Sequence, residues 1–430
     1  MKSKAWMQQP WIRTSRAFTV VLSIALVASI APLAAASGAP NDEAERLIAR
    51  LQASNPDFLI ERMHGNASAD LQALMKLRFA ATHSVIAHIE QLEATEPDSP
   101  LANALLHALG FVLDPASIPW LRKRLENGDH QRLAERWLPS RHYADSWIGE
   151  SPWVEGKQRW FEFFGDAYAS DPDPQRRRLW LTQLLSFTSA EATAMARRLR
   201  DRTDDPHEFL IIEAALSERG LTVDWSRVAS EVDRLSHDPE QAPFLIEIAL
   251  KLRHELFVPI LIRNYDARPR GVTGLGSPPA HYSAMLITLQ RGINGQAEWQ
   301  RWWNENSSRR RSDWIAEQQA QLDALLAQDE AEAVAYFKAA VYAWCDIAFL
   351  PYIEDRLLDR PAFYDHLAGW INLTYQSAYR SDLARVARPL RAHADELEDW
   401  ARRLLIERNF LPPDQSQTWE DVVELANMRL

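Results

Sequence analysis

Residues 101–121 read LANALLHALGFVLDPASIPWL, and this stretch decides the fold class. Its first half has the apolar spacing of a helix that packs into a core. Asp114-Pro115 then marks a turn, because aspartate favours turns and proline cannot continue a helix. A second apolar helix begins at Ile118-Pro119, where a proline in the first turn costs no hydrogen bond. The stretch therefore predicts two helices joined by a tight turn.

The proline near the start of the second helix recurs along the chain. Val258-Pro259-Ile260-Leu261 and Leu350-Pro351-Tyr352-Ile353 each follow a more apolar helix, as Ile118-Pro119-Trp120-Leu121 does. The three prolines lie 140 and 92 positions apart, close to three and two units of about 46 residues, within the range of roughly 40–47 for HEAT-type repeats. Such a helix pair cannot bury its apolar face alone, so the units must stack.

Two segments carry a family resemblance. The run LLHALG at 105–110, followed by the Asp-Pro turn and the proline-started helix, resembles a HEAT-repeat unit. The run EWQRWW at 298–303 resembles the Trp-rich ending of some bacterial HEAT-repeat proteins. This resemblance implies an architecture and carries over no catalytic residue.

The rest of the chain continues the helix, break, helix pattern from Asn41 onward without sustained strand alternation. Segments with helical spacing include 101–113, 118–125, 176–185, 209–216, 244–252, 334–344 and 397–405. Asp205 and Asp329 precede such segments as N-caps, and Thr188 with Glu191 has the spacing of a capping box. We expect an all-α fold of stacked antiparallel helix pairs, a HEAT-like α-solenoid, with an α/α-toroid as the alternative.

The first 36 residues have the composition of an export signal. Their basic residues, with no acidic residue among them, are Lys2, Lys4, Arg13 and Arg16. The apolar stretch 17–36 ends in three alanines, as at a signal-peptidase site, and Pro32 disfavours the alternative of a retained anchor helix. We expect residues 1–36 to be a cleaved signal peptide, residues 37–430 to be one helical-repeat domain, and the mature protein to be periplasmic or secreted.

Charge and cysteine content restrict the partners. The formal net charge is -11, which argues against nucleic acid as a partner. The sequence has no second apolar stretch long enough to span a membrane, so we expect no membrane partner after signal cleavage. Cys345 is the single cysteine, so no intramolecular disulfide forms. Its apolar surroundings predict a buried, inert thiol.

Motifs for cofactors, metals and nucleophiles do not occur. Gly271, Gly274 and Gly276 match neither a dinucleotide fingerprint nor a P-loop, and His83 and His88 fall on different helix faces. No nucleophile elbow is present. We expect no cofactor and no metal.

The best chemical candidate is the helix 363–379. Asp365, Asn372, Tyr375 and Tyr379 lie seven, three and four positions apart, which places them on one face. This face offers hydrogen bonds to a ligand such as a sugar, and Asp365 or Tyr375 could transfer a proton in an enzyme. The alternative is an exposed solenoid face without a ligand.

Two further sets of residues are interpreted as structural. Four tryptophans have core-like spacing, namely Trp120, Trp180, Trp344 and Trp370. The runs 176–178 and 309–311 contain only arginine and read as solvated helix surface or turns, while 139–157 and 267–280 are long loops that connect helices or bind ligands.

These observations favour a binding protein over an enzyme. A stacked array presents an extended surface, and no reactive motif is visible, so we expect a scaffold that binds a protein or peptide. A glycan-active enzyme with an α/α-toroid fold is the alternative, since it would also be exported, helical and Trp-rich.

Overall fold

The computed structural model describes residues 40–53, 69–96, 99–138, 156–187, 189–267, 280–290, 292–341, 344–374, 380–407 and 410–411. These residues form α-helices joined by turns and short 3₁₀ segments, and no β-strand occurs among them. The predicted all-α class is confirmed. The chain divides into two compact units, with described residues up to Ala192 in unit 1 and those from Thr193 onward in unit 2.

Unit 1 is built from short helices in close succession. They are α1 (Pro40–Ala53), α2 (Ala69–Lys76), α3 (Thr82–Thr95), α4 (Pro100–Val112), α5 (Ile118–Glu126), α6 (His130–Arg132, continued by the π-helical turn Leu133–Trp137), α7 (Lys157–Ser170) and α8 (Pro174–Leu185). The boundary between the units falls within α9 (Ala190–Arg200).

Unit 2 continues the same pattern. Its helices are α10 (Pro206–Glu218), α11 (Trp225–Ser236), α12 (Ala242–Leu252), α13 (Val258–Arg263), α14 (Ala280–Thr288), α15 (Gln296–Asn306), α16 (Arg311–Leu326), α17 (Glu330–Ala340), α18 (Leu350–Arg356), α19 (Tyr364–Thr374), α20 (Arg380–Ala392) and α21 (Asp399–Glu407).

Helices pack mainly on neighbours that are one or two places away in sequence. In unit 1, α3 packs on α4 and α7 on α8; in unit 2, α10 packs on α11 and α12, α16 on α17, and α19 on α20 and α21. This order of contacts is that of stacked helix pairs, as in an α-solenoid. The predicted fold class is therefore confirmed at the level of helix pairing within each unit.

The three predicted proline starts share one local structure. In each, a side chain caps a 3₁₀ turn that leads into the helix: Asp114 accepts from the N–H of Ala116, His254 from that of Leu256, and Asp346 from that of Ala348, at 2.8–3.2 Å. The helices α5, α13 and α18 follow, with proline in the first turn.

A fourth turn of this kind does not fit the predicted period. Asp238 accepts from the N–H of Glu240 at 2.9 Å, and Ala242-Pro243 then starts α12, the first helix of a pair. The capped turn therefore marks helix starts of either kind. The predicted period of about 46 residues uses only three of these four turns, namely those before α5, α13 and α18.

Helix limits agree with the sequence prediction except near tryptophan. Asp205 and Asp329 cap α10 and α17 as expected, whereas Thr188 lies outside the described residues. The helix predicted over 334–344 ends at Ala340. Trp344 lies beyond the end of this helix, and its ring stacks on Phe349 of the following 3₁₀ turn at 4.3 Å between ring centroids.

Tryptophans and phenylalanines fill the core of unit 1. Trp137, Trp160 and Trp180 are buried, and Trp137 stacks with Trp160 at 5.6 Å and with Trp180 at 6.4 Å between ring centroids. Phe163 and Phe164 complete the cluster through edge and tilted contacts. Aromatic burial of this extent supplies much of the packing energy of a small helical unit.

Three of the four predicted core tryptophans are confirmed. Trp180, Trp344 and Trp370 are fully buried. The prediction for Trp120 is wrong, since this side chain is only partly buried, its indole N–H donates to Glu90 at 2.9 Å, and Arg124 lies 4.8 Å above its ring. Trp120 follows the helix-starting Pro119, and its N–H meets the carboxylate of Glu90 on α3.

Candidate functional site

The predicted polar face on α19 lies only partly within the described residues. The carboxylate of Asp365 accepts a hydrogen bond from the main-chain N–H of Glu398 at 2.8 Å, just before α21 begins. Asn372 is half-buried, and Tyr375 and Tyr379 lie outside the described residues. Asp365 therefore helps to position the start of α21, and the row of four side chains stays a prediction.

No sequence signal indicated that Glu398 and Trp400 lie beside the start of α19. His366 is half-buried and lies 6.2 Å from Trp400 between ring centroids, and burial lowers the pKa of His366. The indole N–H of Trp400 donates to the carboxylate of Glu398, and its ring lies against Gly369, where a Cβ would be 3.6 Å from the ring. We call Asp365, His366, Glu398 and Trp400 the α19–α21 corner.

A second polar cluster joins three helix ends of unit 2. Arg253 follows the last residue of α12 in the left-handed conformation with φ 47°, Arg311 is the first residue of α16, and Asp346 caps the turn before α18. We call Arg253, Arg311, Asp346 and the adjacent Cys345 the arginine joint.

The geometry of the arginine joint centres on one carboxylate oxygen. Arg311 Nη2 donates to Asp346 Oδ2 at 2.7 Å, and Arg253 Nη1 lies 3.4 Å from the same atom. Arg253 also donates to the carbonyl oxygen of Cys345, and its Nη2 lies 3.9 Å from the Cys345 sulfur. Two guanidinium groups thus hold one carboxylate and one turn carbonyl.

Burial makes the interactions at this joint strong. The side chains of Arg253, Arg311 and Asp346 are 22%, 13% and 12% exposed. Burial acts to raise the pKa of Asp346, but the charges of Arg311 and Arg253 and the N–H of Ala348 outweigh it, so the pKa lies below its usual value. Asp346 is therefore a stable anion at neutral pH.

A histidine and a glutamate border the joint. The ring of His254 stacks on Trp225 at 3.9 Å, and burial lowers the pKa of His254, helped by the nearby charge of Arg311. Glu255 accepts the main-chain N–H of Arg311 at 3.4 Å. The start of α16 thus already has an acidic partner from within the chain.

These contacts describe a cluster that fastens helix ends. Each charged group in it has a counter-ion within the joint, although the Nε atom of Arg311 is buried without a hydrogen-bond partner. Breaking such a buried ion pair by removing one partner is strongly destabilising. The chemistry therefore favours a structural function over catalysis at this place.

Unit 1 contains a smaller cluster of the same type. The fully buried carboxylate of Asp171 accepts from Arg176 Nε at 3.1 Å and Nη2 at 3.0 Å, and from the indole N–H of Trp180 at 3.0 Å. Burial acts to raise the pKa of Asp171, but these donors outweigh it and lower the pKa. The cluster ties the start of α8 to the aromatic core.

The interpretation of the arginine runs as solvated surface is therefore wrong for two members. Arg176 and Arg311 are 21% and 13% exposed and bind buried carboxylates, because each lies in the first turn of a helix, next to a capping turn. An arginine just after a helix start, together with an aspartate that caps another turn, is the signal that could have indicated them. Cys345, expected to be buried, is half-buried.

No cluster of three or more potential metal ligands occurs among the described residues. In the same part of the chain, no helix is both long and apolar enough to cross a bilayer. Comparison with protein families, curated proteins and solved structures finds no match to this chain.

Proposed function

We propose that this chain is an exported helical-repeat protein that binds a protein or peptide on the surface of its stacked helices. The observation that carries the proposal is the neighbour-by-neighbour packing of helices within each unit. Helices stacked in this way leave successive outer faces side by side, and such faces form extended binding surfaces in repeat proteins.

The use of charged side chains supports the same proposal. The buried ions of the arginine joint and of the Asp171 cluster hold helix ends together. Other charges remain exposed on outer helix faces, including Lys123 on α5 and Arg388 and Arg391 on α20. Exposed charges of this kind set partner choice and association rate more than stability.

The test combines localisation with partner binding by the full-length protein. Cell fractionation and N-terminal sequencing should find the protein outside the cytoplasm, beginning near Ser37. A partner cross-linked in cells should bind again as a purified protein with fixed stoichiometry in analytical ultracentrifugation.

Charge-reversal variants locate the binding face. The double variant Arg388→Glu, Arg391→Glu changes the surface of unit 2, and Lys123→Glu changes that of unit 1. All three side chains are exposed, so both variants should fold normally. Binding that weakens in one variant and not in the other assigns the face. Failure of the purified partner to bind the wild-type protein would contradict the proposal.

One observation favours the glycan-active alternative. The α19–α21 corner places the carboxylates of Asp365 and Glu398 beside a half-buried tryptophan and a histidine. Aromatic rings next to carboxylates are suited to sugars, because the ring stacks on apolar sugar faces while the oxygens accept hydroxyl protons. Release of reducing ends from a panel of polysaccharides, abolished in Asp365→Asn, would support this alternative.

A further inference from the structure

Glu213 is a buried carboxyl group in the middle of α10, far from the ends where charges usually lie. Its side chain is fully buried. Oε2 accepts the main-chain N–H of Asp224 at 3.1 Å, whereas Oε1 has no hydrogen-bond partner. The nearest cation is Arg200, whose Nε lies 3.9 Å from Oε1, beyond hydrogen-bond distance.

This environment disfavours the ionised form. Removing a carboxylate from water is costly unless a close counter-ion and hydrogen bonds replace the solvent. Here burial raises the pKa of Glu213, and the N–H of Asp224 and the charge of Arg200 only partly oppose it. Glu213 therefore binds its proton more tightly in the folded protein than in the unfolded chain.

The charged groups around Glu213 come from α9 and the start of α11. Arg200 ends α9, while Asp224 is the N-cap of α11 and Arg227 lies in its first turn. The helix α12 also packs on α10, and its charged residues are Glu247 and Lys251.

The same groups fasten the end of α9. Arg227 donates to the carbonyl oxygens of Arg200 at 3.2 Å and Thr203 at 2.5 Å, and the hydroxyl of Thr203 donates to Glu208 at 3.2 Å. Arg200 is 30% exposed and also lies 3.4 Å from Asp201, a surface carboxylate. Arg200 thus stands between one exposed acid and one buried acid.

We propose that Glu213 is a proton switch that sets how tightly the last turn of α9 is held on α10. With the proton bound, Glu213 is neutral and Arg200 stays with Asp201. When the proton leaves, the buried carboxylate attracts Arg200 into a direct ion pair, which fastens the turn 200–203. This device is independent of the proposed binding function, because it depends only on contacts within unit 2.

Hydrogen exchange read by mass spectrometry tests the switch on the full-length protein. The amides of Arg202 and Thr203 bond to the carbonyl of Leu199 at 3.0 and 2.9 Å and report on the turn. After correction for intrinsic exchange, their protection should rise about 2- to 5-fold as pH rises through the Glu213 transition, the gain expected for one ion pair at a partly exposed arginine. The midpoint should lie above the ordinary glutamate pKa of about 4.3.

Glu213→Gln should remove the step, because the amide keeps an acceptor for Asp224 but cannot ionise. Glu218→Gln is the matched control, a partly exposed glutamate on the same helix, and should keep the step. Should Glu213→Gln not fold, Arg200→Gln serves instead and should also remove it. A step that persists in either of these variants, or its absence from the wild-type protein between about pH 4 and 9, would overturn the proposal.

Discussion

Replacing Asp346 by alanine gives the sharpest test of the arginine joint. The change removes the acceptor of Arg311 at 2.7 Å, the counter-ion of Arg253 and the cap of the Ala348 N–H at once. Two largely buried guanidinium groups then face each other without an anion between them. Removal of one partner from a buried ion cluster costs about 3–5 kcal/mol.

The loss converts into a measurable melting shift. A unit of about 150–250 residues changes its Tm by about 2–4 °C per kcal/mol, so Asp346→Ala should lower the melting temperature by about 6–20 °C in differential scanning calorimetry. Asp355→Asn is the control, because that carboxylate is 77% exposed and only 3.6 Å from Arg356. It should change stability by less than about 0.5 kcal/mol.

A neutral replacement of the whole joint separates charge from shape. Changing Arg253 and Arg311 to methionine together with Asp346→Asn removes the ions while keeping similar side-chain volumes and an acceptor for the Ala348 N–H. Such replacements are often neutral or stabilising by about 1–4 kcal/mol. If Asp346→Ala lowers Tm no more than Asp355→Asn does, the arginine joint stabilises the fold no more than a surface ion pair. That result would refute the proposed contribution of the joint to stability.

Two further outcomes follow from the packing of unit 1 and from the α19–α21 corner. A Cβ on Gly110 would lie 1.8 Å from the carbonyl oxygen of Trp137, so Gly110→Ala should lower the free energy of unfolding by about 3 kcal/mol or more. Gly165→Ala is the control and should be neutral or stabilising, because the nearest contact of its new Cβ is at 4.0 Å. Thermal melts followed by circular dichroism compare the two variants. Asp365→Asn keeps an oxygen that accepts the main-chain N–H of Glu398, so the free energy of unfolding should fall by less than about 1 kcal/mol. If this folded variant cleaves polysaccharide as the wild-type protein does, Asp365 is not the acid or base.

Local sequence signals predicted the helices because the physics that starts and ends a helix is local. Aspartate at an N-cap and proline in the first turn act within a few residues, so Asp205 and the start of α18 were placed correctly. The end of the helix before Trp344 was misplaced, since that turn is fixed by ring stacking and by the bond from the indole of Trp370. No spacing rule contains such contacts.

The polar clusters could not be predicted in the same way. Arg311 bonds to Asp346, which lies 35 positions later in the chain. Arg253 bonds to Cys345 and Asp346, which lie 92 and 93 positions after it. Partners this distant come together only through the stacking of several pairs. For the candidate site on α19, the sequence placed Asp365 on a polar face but gave no indication that α21 would bring Glu398 to it.

Asp346 and Glu213, two carboxyl groups of unit 2, should move its stability in opposite directions with pH. The pKa of Asp346 is lowered on folding, so the stability it contributes is present above the usual aspartate pKa and is lost as pH falls through the lower folded value. The pKa of Glu213 is raised, so its contribution is present below the usual glutamate pKa and is lost as pH rises through the higher folded value.

These signs predict opposite displacements from two isosteric variants. Asp346→Asn should flatten the acid side of the stability curve and move its maximum to lower pH, even though it lowers the curve as a whole. Glu213→Gln should flatten the loss above the glutamate transition and move the maximum to higher pH. Melting temperatures measured across pH for both variants and the wild-type protein check this, and displacement of both maxima in the same direction would show that at least one carboxyl group has the opposite pKa shift.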